Sequence, residues 1–273
     1  MYKYRLTIFI DILGFRDLIS KTNKDENLTI LIFNAVKSMI THNINYEVFG
    51  QVNKEIIKDE KELLEVEKIH KIVSDRMKES STVQITHFSD SIVLSSELDN
   101  EINTMSLIEL LARLNYRLWK DYKILIRGGV TMGKLIHEEN GPLFGPAMVT
   151  AYDIESKLSN FPRIIIDEPC SNYIKNTVSY KAMKKLFLNY RSNEGDKLKI
   201  ENGLEINLAT SFNHLLNSHY TANSEIRKQY FEVLGSSVED LSKIKENAND
   251  DKVKSKYDYI INKLQDLNIQ RHV

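Results

Sequence analysis

FIDILGFRDLI, residues 9–19, closes a run of β-branched and aromatic residues that starts near Tyr4. Such a run predicts a buried strand over residues 4–11. Its last position is a carboxylate, Asp11, and Gly14 follows within three residues. A charge where a buried strand turns has two readings. Asp11 is either a turn or helix-capping residue, or a metal ligand at the edge of a sheet.

Working outward, NLTILIFNAVKSMITH (27–42) carries apolar residues at helical spacing behind Asn27, a candidate N-cap. Residues 51–78 are densely charged around a thin stripe of Ile56, Leu63, Val66, Ile69 and Val73, which predicts an amphipathic helix with a solvated face. STVQITHFSDSIVLSS (81–96) alternates, breaks at Ser89-Asp90 and alternates again, as a β-hairpin does. Leu107, Leu110, Leu111, Leu114 and Leu118 mark one face of a helix over 103–121. KILIRGGVTMGKLI (123–136) is a further strand, with Gly128, Gly129 and Gly133 bringing backbones together. A Gly/Pro loop then opens into a helix with Pro146 in its first turn, and RIIID (163–167) is expected to be the last strong strand. Beyond Asp167 the chain reads as mostly helical, with a weak strand near Leu204–Leu208 and a helix–loop–helix over 223–267. Strands interleaved with helices around one hairpin predict an α+β fold, a mixed sheet with helices mainly on one face.

Composition narrows the function classes. The 273 residues are 42% hydrophobic and 27% charged, with a net charge of −1. No global field recruits nucleic acid or an anionic membrane. One cysteine, Cys170, excludes an intramolecular disulfide and a multi-cysteine zinc cluster, and it reads as a packed thiol. No stretch approaches the roughly 18 apolar residues of a membrane helix, and the N-terminus lacks the form of a signal peptide, so a cytoplasmic protein is expected. The seven histidines show no zinc-like spacing; His87 and His137 flank the candidate strands and read as packed residues. Neither a P-loop nor a dinucleotide fingerprint is present.

If the first strand lies beside the hairpin, Asp11 and Asp90 emerge at one sheet edge. Two hard oxygen ligands suit Mg²⁺ or Mn²⁺, whose shell is commonly completed by phosphates and water. The ILGF segment would then offer backbone N–H groups to phosphate where a helix begins. Asp in a hairpin tip is also ordinary turn chemistry, so both readings stay open for each residue.

FIDILGFRDLI, HFSDSIVLS, IRGGVTMGKL and FGPAMVTAYDIES resemble, in that order, the core motifs of the class III nucleotidyl cyclases. The resemblance spans about residues 4–166, a catalytic domain of 1–166, and leaves 167–273 as a mostly helical extension. It implies a ferredoxin-like βαββαβ core acting as a homodimer. It implies that Asp11 and Asp90 bind the metal, that Ile12 lends it a carbonyl, and that Gly14 and Phe15 face a triphosphate. The implied substrate is a nucleoside triphosphate, and the product a 3′,5′-cyclic nucleotide with pyrophosphate. The bacterial pyrimidine cyclases of antiphage signalling belong to this wider group.

The sequence departs from the family pattern. Val149 stands where an asparagine orients the ribose, and Asp153 where an arginine stabilises transition-state charge. Arg127 and Lys134 are the cations available to replace it, and Tyr152 can stack on or hydrogen-bond to the nucleoside. At the base-reading positions the chain has Thr86 and Pro142, the usual residues of neither an adenine nor a guanine site.

Overall fold

The computed structural model describes residues 1–39, 82–99, 101–217 and 224–272, together with helical positions 60, 61, 64 and 68. The amphipathic helix expected over 51–78 otherwise lies outside the described residues. The first half runs β1 (Lys3–Ile12), α1 (Phe15–Thr22), α2 (Glu26–Ser38), β2 (Gln84–Phe88), β3 (Ser91–Glu97), α3 (Glu101–Tyr122) and β4 (Ile126–His137). These strands lie in the order β2-β3-β1-β4, every neighbour antiparallel. That is the βαββαβ order of a ferredoxin-like core, read from the pairing alone.

β1 sits in the middle, and its alternation fixes the register. Leu6, Ile8, Ile10 and Ile12 are buried in the main core with Ile92, Leu94, Leu107, Leu111 and Leu114. Arg5, Thr7, Phe9 and Asp11 occupy the other face. Slipping β1 by one residue would turn the four aliphatics out of the core, at roughly 1.5–3 kcal/mol each, and bury Arg5 and Asp11 in their place. The register that results sets Asp11 opposite Ser91 on β3 and opposite Arg127 on β4. The hairpin turns at Ser89-Asp90 as expected, with Ser89 in the left-handed region at φ 50°.

β5 (Leu143–Phe144) pairs with the end of β4, and α4 (Pro146–Leu158) starts with Pro146 in its first turn. Unlike α2 and α3, α4 packs on the Phe9 face, where Phe9, Val93 and Ala151 form a separate small cluster. A glycine permits this approach. A Cβ at Gly129 would stand 2.2 Å from the Ala151 carbonyl oxygen and 2.8 Å from Ile154 Cβ.

The sheet continues past residue 166. β6 (Arg163–Ile166) pairs parallel with β4, and β8 (Gly203–Asn207) and β7 (Leu188–Tyr190) add antiparallel strands beyond it. RIIID is therefore not the last strong strand: β8 is buried along its whole length, and Leu204 and Ile206 join the main core. α5 (Glu168–Lys175) is capped by Asp167 and buries Cys170; α6 (Tyr180–Met183) and α7 (Leu208–Asn217) follow. In α2 the N-cap is Asp25, whose side chain accepts from the Leu28 N–H at 3.1 Å, so the cap lies two residues before the expected Asn27.

α8 (Ser224–Glu246) and α9 (Asp251–His272) form the helical hairpin at the C-terminal side. Leu234, Leu241, Ile260, Ile261 and Leu264 make a second core with Trp119, Leu125 and Phe212, and Leu13 packs against it. Trp119 Nε1 donates to Ser237 Oγ at 2.8 Å, while Tyr259 stacks on Phe161 at 5.0 Å and its hydroxyl donates to Glu205. Among the described residues no helix is long and apolar enough to cross a membrane.

The α4 contact yields a stability test. Gly129→Ala is expected to cost about 2–3 kcal/mol in urea denaturation, because backbone atoms cannot yield as a side chain can. Gly195→Ala, whose Cβ meets nothing within 4 Å, should stay within about 0.5 kcal/mol of the parent.

Candidate functional site

The end of β1 gathers charge from four directions. Asp11 Oδ1 accepts from Ser91 Oγ at 3.0 Å, and Oδ2 accepts from Arg127 Nε at 3.2 Å and Nη2 at 3.0 Å. Asp11 caps no helix: the N-cap of α1 is Gly14, at φ 77°, and α1 starts without a side-chain cap. That removes the helix-capping reading of Asp11. Asp90, at the hairpin tip, ties into the same turn, its carbonyl accepting from the Ile12 N–H at 3.2 Å.

Burial pushes the Asp11 carboxyl up; the Arg127 hydrogen bond and charge pull it down, and the nearby charge of Asp90 pushes it up again. Net, Asp11 stands above its ordinary value. Two like charges near each other at the end of a strand are costly, and Arg127 offsets that cost at Asp11 only in part. Two carboxylates are the hard oxygen donors that a divalent ion such as Mg²⁺ or Mn²⁺ takes, with a shell left for water and phosphate. Among the described residues no three His, Cys, Asp or Glu side chains converge on one point, so a closed all-protein cage is not what these residues build.

A fourth charged group was not singled out in the sequence. Glu155 of α4 is only 3% exposed, and its Oε1 lies 2.8 Å from Arg127 Nε. That oxygen makes an ion pair without a well-directed hydrogen bond. Burial raises the Glu155 carboxyl to about 7; Arg127 opposes the rise, and Asp11 and Asp90 add to it. The signal was available: Ala147, Ala151, Ile154 and Leu158 are the buried stripe of α4, and Glu155 falls four residues after Ala151 on that stripe.

The other candidates divide by strand parity and helix face. Thr86 lies on the Asp11 face but two strands away, opposite Val93, with its hydroxyl 2.9 Å from His137 Nε2. Ser95 Oγ holds His137 Nδ1 at 2.9 Å, and Arg5 Nε donates to the same Ser95 oxygen at 2.8 Å. His137 is thus a packed, partnered residue, and burial with the Arg5 charge lowers it to about 4. Lys134 pairs with Tyr4, seven residues along β4 from Arg127. The odd spacing puts it on the opposite face, and at 3.3 Å per residue about 23 Å away along the strand. Within one chain Lys134 does not meet Asp11.

Tyr152 is half exposed and packs edge-on against Phe9 at 5.5 Å. Val149 is 61% exposed, and Asp153 pairs with Lys157 at 2.8 Å along the helix. Neither reaches the Asp11 cluster. Gly14 and Phe15 lie at the turn directly after it.

Comparison with solved structures finds fold-level neighbours only. The adenylyl cyclase CyaB from P. aeruginosa is 14% identical, covering 76% of this chain and 94% of that one, with a TM-score of 0.45. A bacterial light-regulated adenylyl cyclase is 10% identical over 87% of this chain and 99% of its own, TM-score 0.44. An adenylate/guanylate cyclase/hydrolase from Silicibacter pomeroyi is 11% identical over 76% and 98%, TM-score 0.41. No family model and no curated protein matches the chain.

Glu155 gives the cluster a measurable pH signature. A carboxyl near 7 in the folded chain and near 4.5 in the unfolded one takes up a proton on folding between those values. Its unfavourable contribution is therefore absent below pH 4.5 and grows as pH rises to 7, to about 3 kcal/mol at most. Stability measured by urea denaturation should fall over that window, and Glu155→Gln should flatten the decline.

Proposed function

We propose that this chain is a metal-dependent nucleotidyl cyclase, which converts a nucleoside triphosphate to a 3′,5′-cyclic nucleotide and pyrophosphate and works as a homodimer. The observation that carries the reading is Asp11 at the end of the central strand, in register with Arg127 and near enough to Asp90 for their charges to interact. In this reading Asp11, Asp90 and the Ile12 carbonyl hold Mg²⁺ or Mn²⁺. Bound there, the ion supplies charge neutralisation on the phosphates and acidifies the attacking hydroxyl. The ribose 3′-oxygen attacks the α-phosphorus, the bond from that phosphorus to the α–β bridging oxygen breaks, pyrophosphate departs, and the hydroxyl proton passes to solvent.

Arg127 is the residue to stabilise the developing phosphate charge. It is anchored by Glu155, so it can exchange its bonds to Asp11 for phosphate oxygens while its other partner stays in place. Gly14 and Phe15 open an uncapped helix start to the phosphate tail. Tyr152, next to Phe9, is the residue to meet the nucleoside, and Thr86, held by His137, the residue to border the base. Lys134 lies too far from Asp11 along β4 to share its phosphates in one chain, and in this reading it acts across the dimer. Support for a homodimer comes from the face around α4, where Val149, Tyr152 and Phe88 remain exposed.

A second reading is a cyclase-like domain that binds nucleotide and does not turn it over. Val149 and Asp153 favour it: one has no hydrogen bond to offer a ribose, and the other carries the wrong charge for a transition state.

Incubation with Mn²⁺ and each of ATP, GTP, CTP and UTP, with products resolved by mass, separates the two. A cyclic monophosphate plus pyrophosphate is the expected result; saturable metal-dependent binding with intact nucleotide selects the sensor. Asp11→Ala and Asp90→Ala should each weaken metal-dependent nucleotide binding at least 100-fold with an unchanged far-ultraviolet circular dichroism spectrum. Loss of the folded spectrum in both would return the aspartates to a structural role.

A further inference from the structure

Four polar side chains on the Asp11 face of the sheet form one hydrogen-bonded chain, and its first donor fixes the direction of all the others. Arg5 Nε can only donate, and it donates to Ser95 Oγ at 2.8 Å. Ser95 is fully buried, and its hydroxyl has one further partner among the described residues, His137 Nδ1 at 2.9 Å. The Ser95 proton therefore goes to Nδ1. Were Nδ1 to carry a proton of its own, the Ser95 proton would be buried without an acceptor, at about 1–3 kcal/mol. Charge agrees: burial and the neighbouring Arg5 hold His137 near 4, so the ring is neutral at pH 7. A neutral ring that accepts at Nδ1 carries its proton on Nε2. Nε2–H donates in turn to Thr86 Oγ1 at 2.9 Å. Thr86 thus accepts from the protein side, and its own O–H is left to face outward, with no acceptor among the described residues. Arg5 and His137 are buried and Thr86 is half-buried, so the chain runs from the interior to an open end.

The strand register places that open end within a nucleotide's length of Asp11. Asp11, Ser91 and Phe88 stand in one row across β1, β3 and β2, and Phe9, Val93 and Thr86 form the next row on the same face. At about 4.8 Å between strands and 3.4 Å per residue, Thr86 lies roughly 12 Å from Asp11. Phe88, two residues along β2 from Thr86, leaves its ring exposed between them. A nucleotide laid along this face with its phosphates at Asp11 brings the edge of its base to Thr86.

We infer that Thr86 reads the base as a hydrogen-bond donor, and that the nucleotide taken carries an oxo group where adenine and cytosine carry an amino group. The inference rests on the nucleotide reading above and deepens it by naming the class of base. An oxo group accepts the Thr86 proton. An exocyclic amino group can only donate, so Thr86 Oγ1 would face two donors and keep its own proton unpaired beneath the bound base, the costlier state. Arg5, Ser95 and His137 are positioning residues: they act by fixing which way the Thr86 hydroxyl faces.

The test uses the full chain with Mn²⁺ and 3′-deoxynucleoside triphosphates, which lack the attacking oxygen, titrated by calorimetry. Two probe pairs exchange oxo for amino: the 3′-deoxy forms of UTP against CTP, and of ITP against ATP. In each pair that binds, the oxo member should bind about tenfold tighter, the size of one lost hydrogen bond. Thr86→Val should bring that ratio close to one, and Thr86→Ser should keep it. His137→Phe, which releases the hydroxyl without removing it, should also lower the ratio. A thermal melt of each variant identifies any that no longer folds; should His137→Phe be one, the Thr86 pair decides alone. Equal or reversed preference in the unsubstituted protein overturns the inference and leaves the nucleotide reading standing. An oxo preference that persists in folded Thr86→Val overturns it too, since another group would then read the base. If no nucleotide binds at all, the nucleotide reading fails and takes this inference with it.

Discussion

Everything at the site depends on the register of β1. Its four inward aliphatics leave no alternative pairing of comparable stability, and the outward residues are carried along with them. Asp11 therefore faces Ser91 and Arg127 because Leu6, Ile8, Ile10 and Ile12 are in the core, not because the polar groups attract each other strongly. The Asp11–Arg127 pair is partly exposed, and in isolation such pairs contribute about 1 kcal/mol or less. The core fixes the position, and the polar residues inherit it.

The second constraint is the approach of α4. Gly129 lets that helix lie against β4, and the closeness brings Glu155 into the sheet, where Arg127 is its partner. A buried carboxylate without that guanidinium would be left without charge compensation, the costlier state. Arg127 thus serves two acids at once, one exposed enough to exchange partners and one too buried to leave. The asymmetry makes Arg127 a tethered cation, not a freely mobile one.

Periodicity made much of this readable in advance. The alternation of β1, the two-residue break at Ser89-Asp90 and the leucine stripe of α3 each report one period, and each element formed where its pattern ended. What failed to read depended on tertiary partners or on competing local signals. β7 is short, is flanked by polar sequence and, among the described residues, pairs only with β8; β8 reads as a weak strand, and its full burial comes from lying between β6 and β7. The choice between Asp25 and Asn27 as cap was open because both residue types accept from a helix N–H. The separation of Lys134 from Arg127 was legible and was missed: seven residues along a regular strand is an odd number, and odd spacings change face. Glu155 was equally legible, as an acid on an apolar stripe.

Electrostatics then argues that the cluster is built for a ligand. Asp90 raises the proton affinity of Asp11, and both raise that of Glu155, while Arg127 opposes each rise. A site evolved only for stability would pair these charges off; removing like-charge contacts from a half-buried cluster is among the simpler ways to stabilise a fold. Here three acids share one region with a single guanidinium, which pairs with two of them, Asp11 and Glu155. In the proposed cyclase reading a divalent cation supplies the positive charge that Arg127 alone does not bring to the three acids.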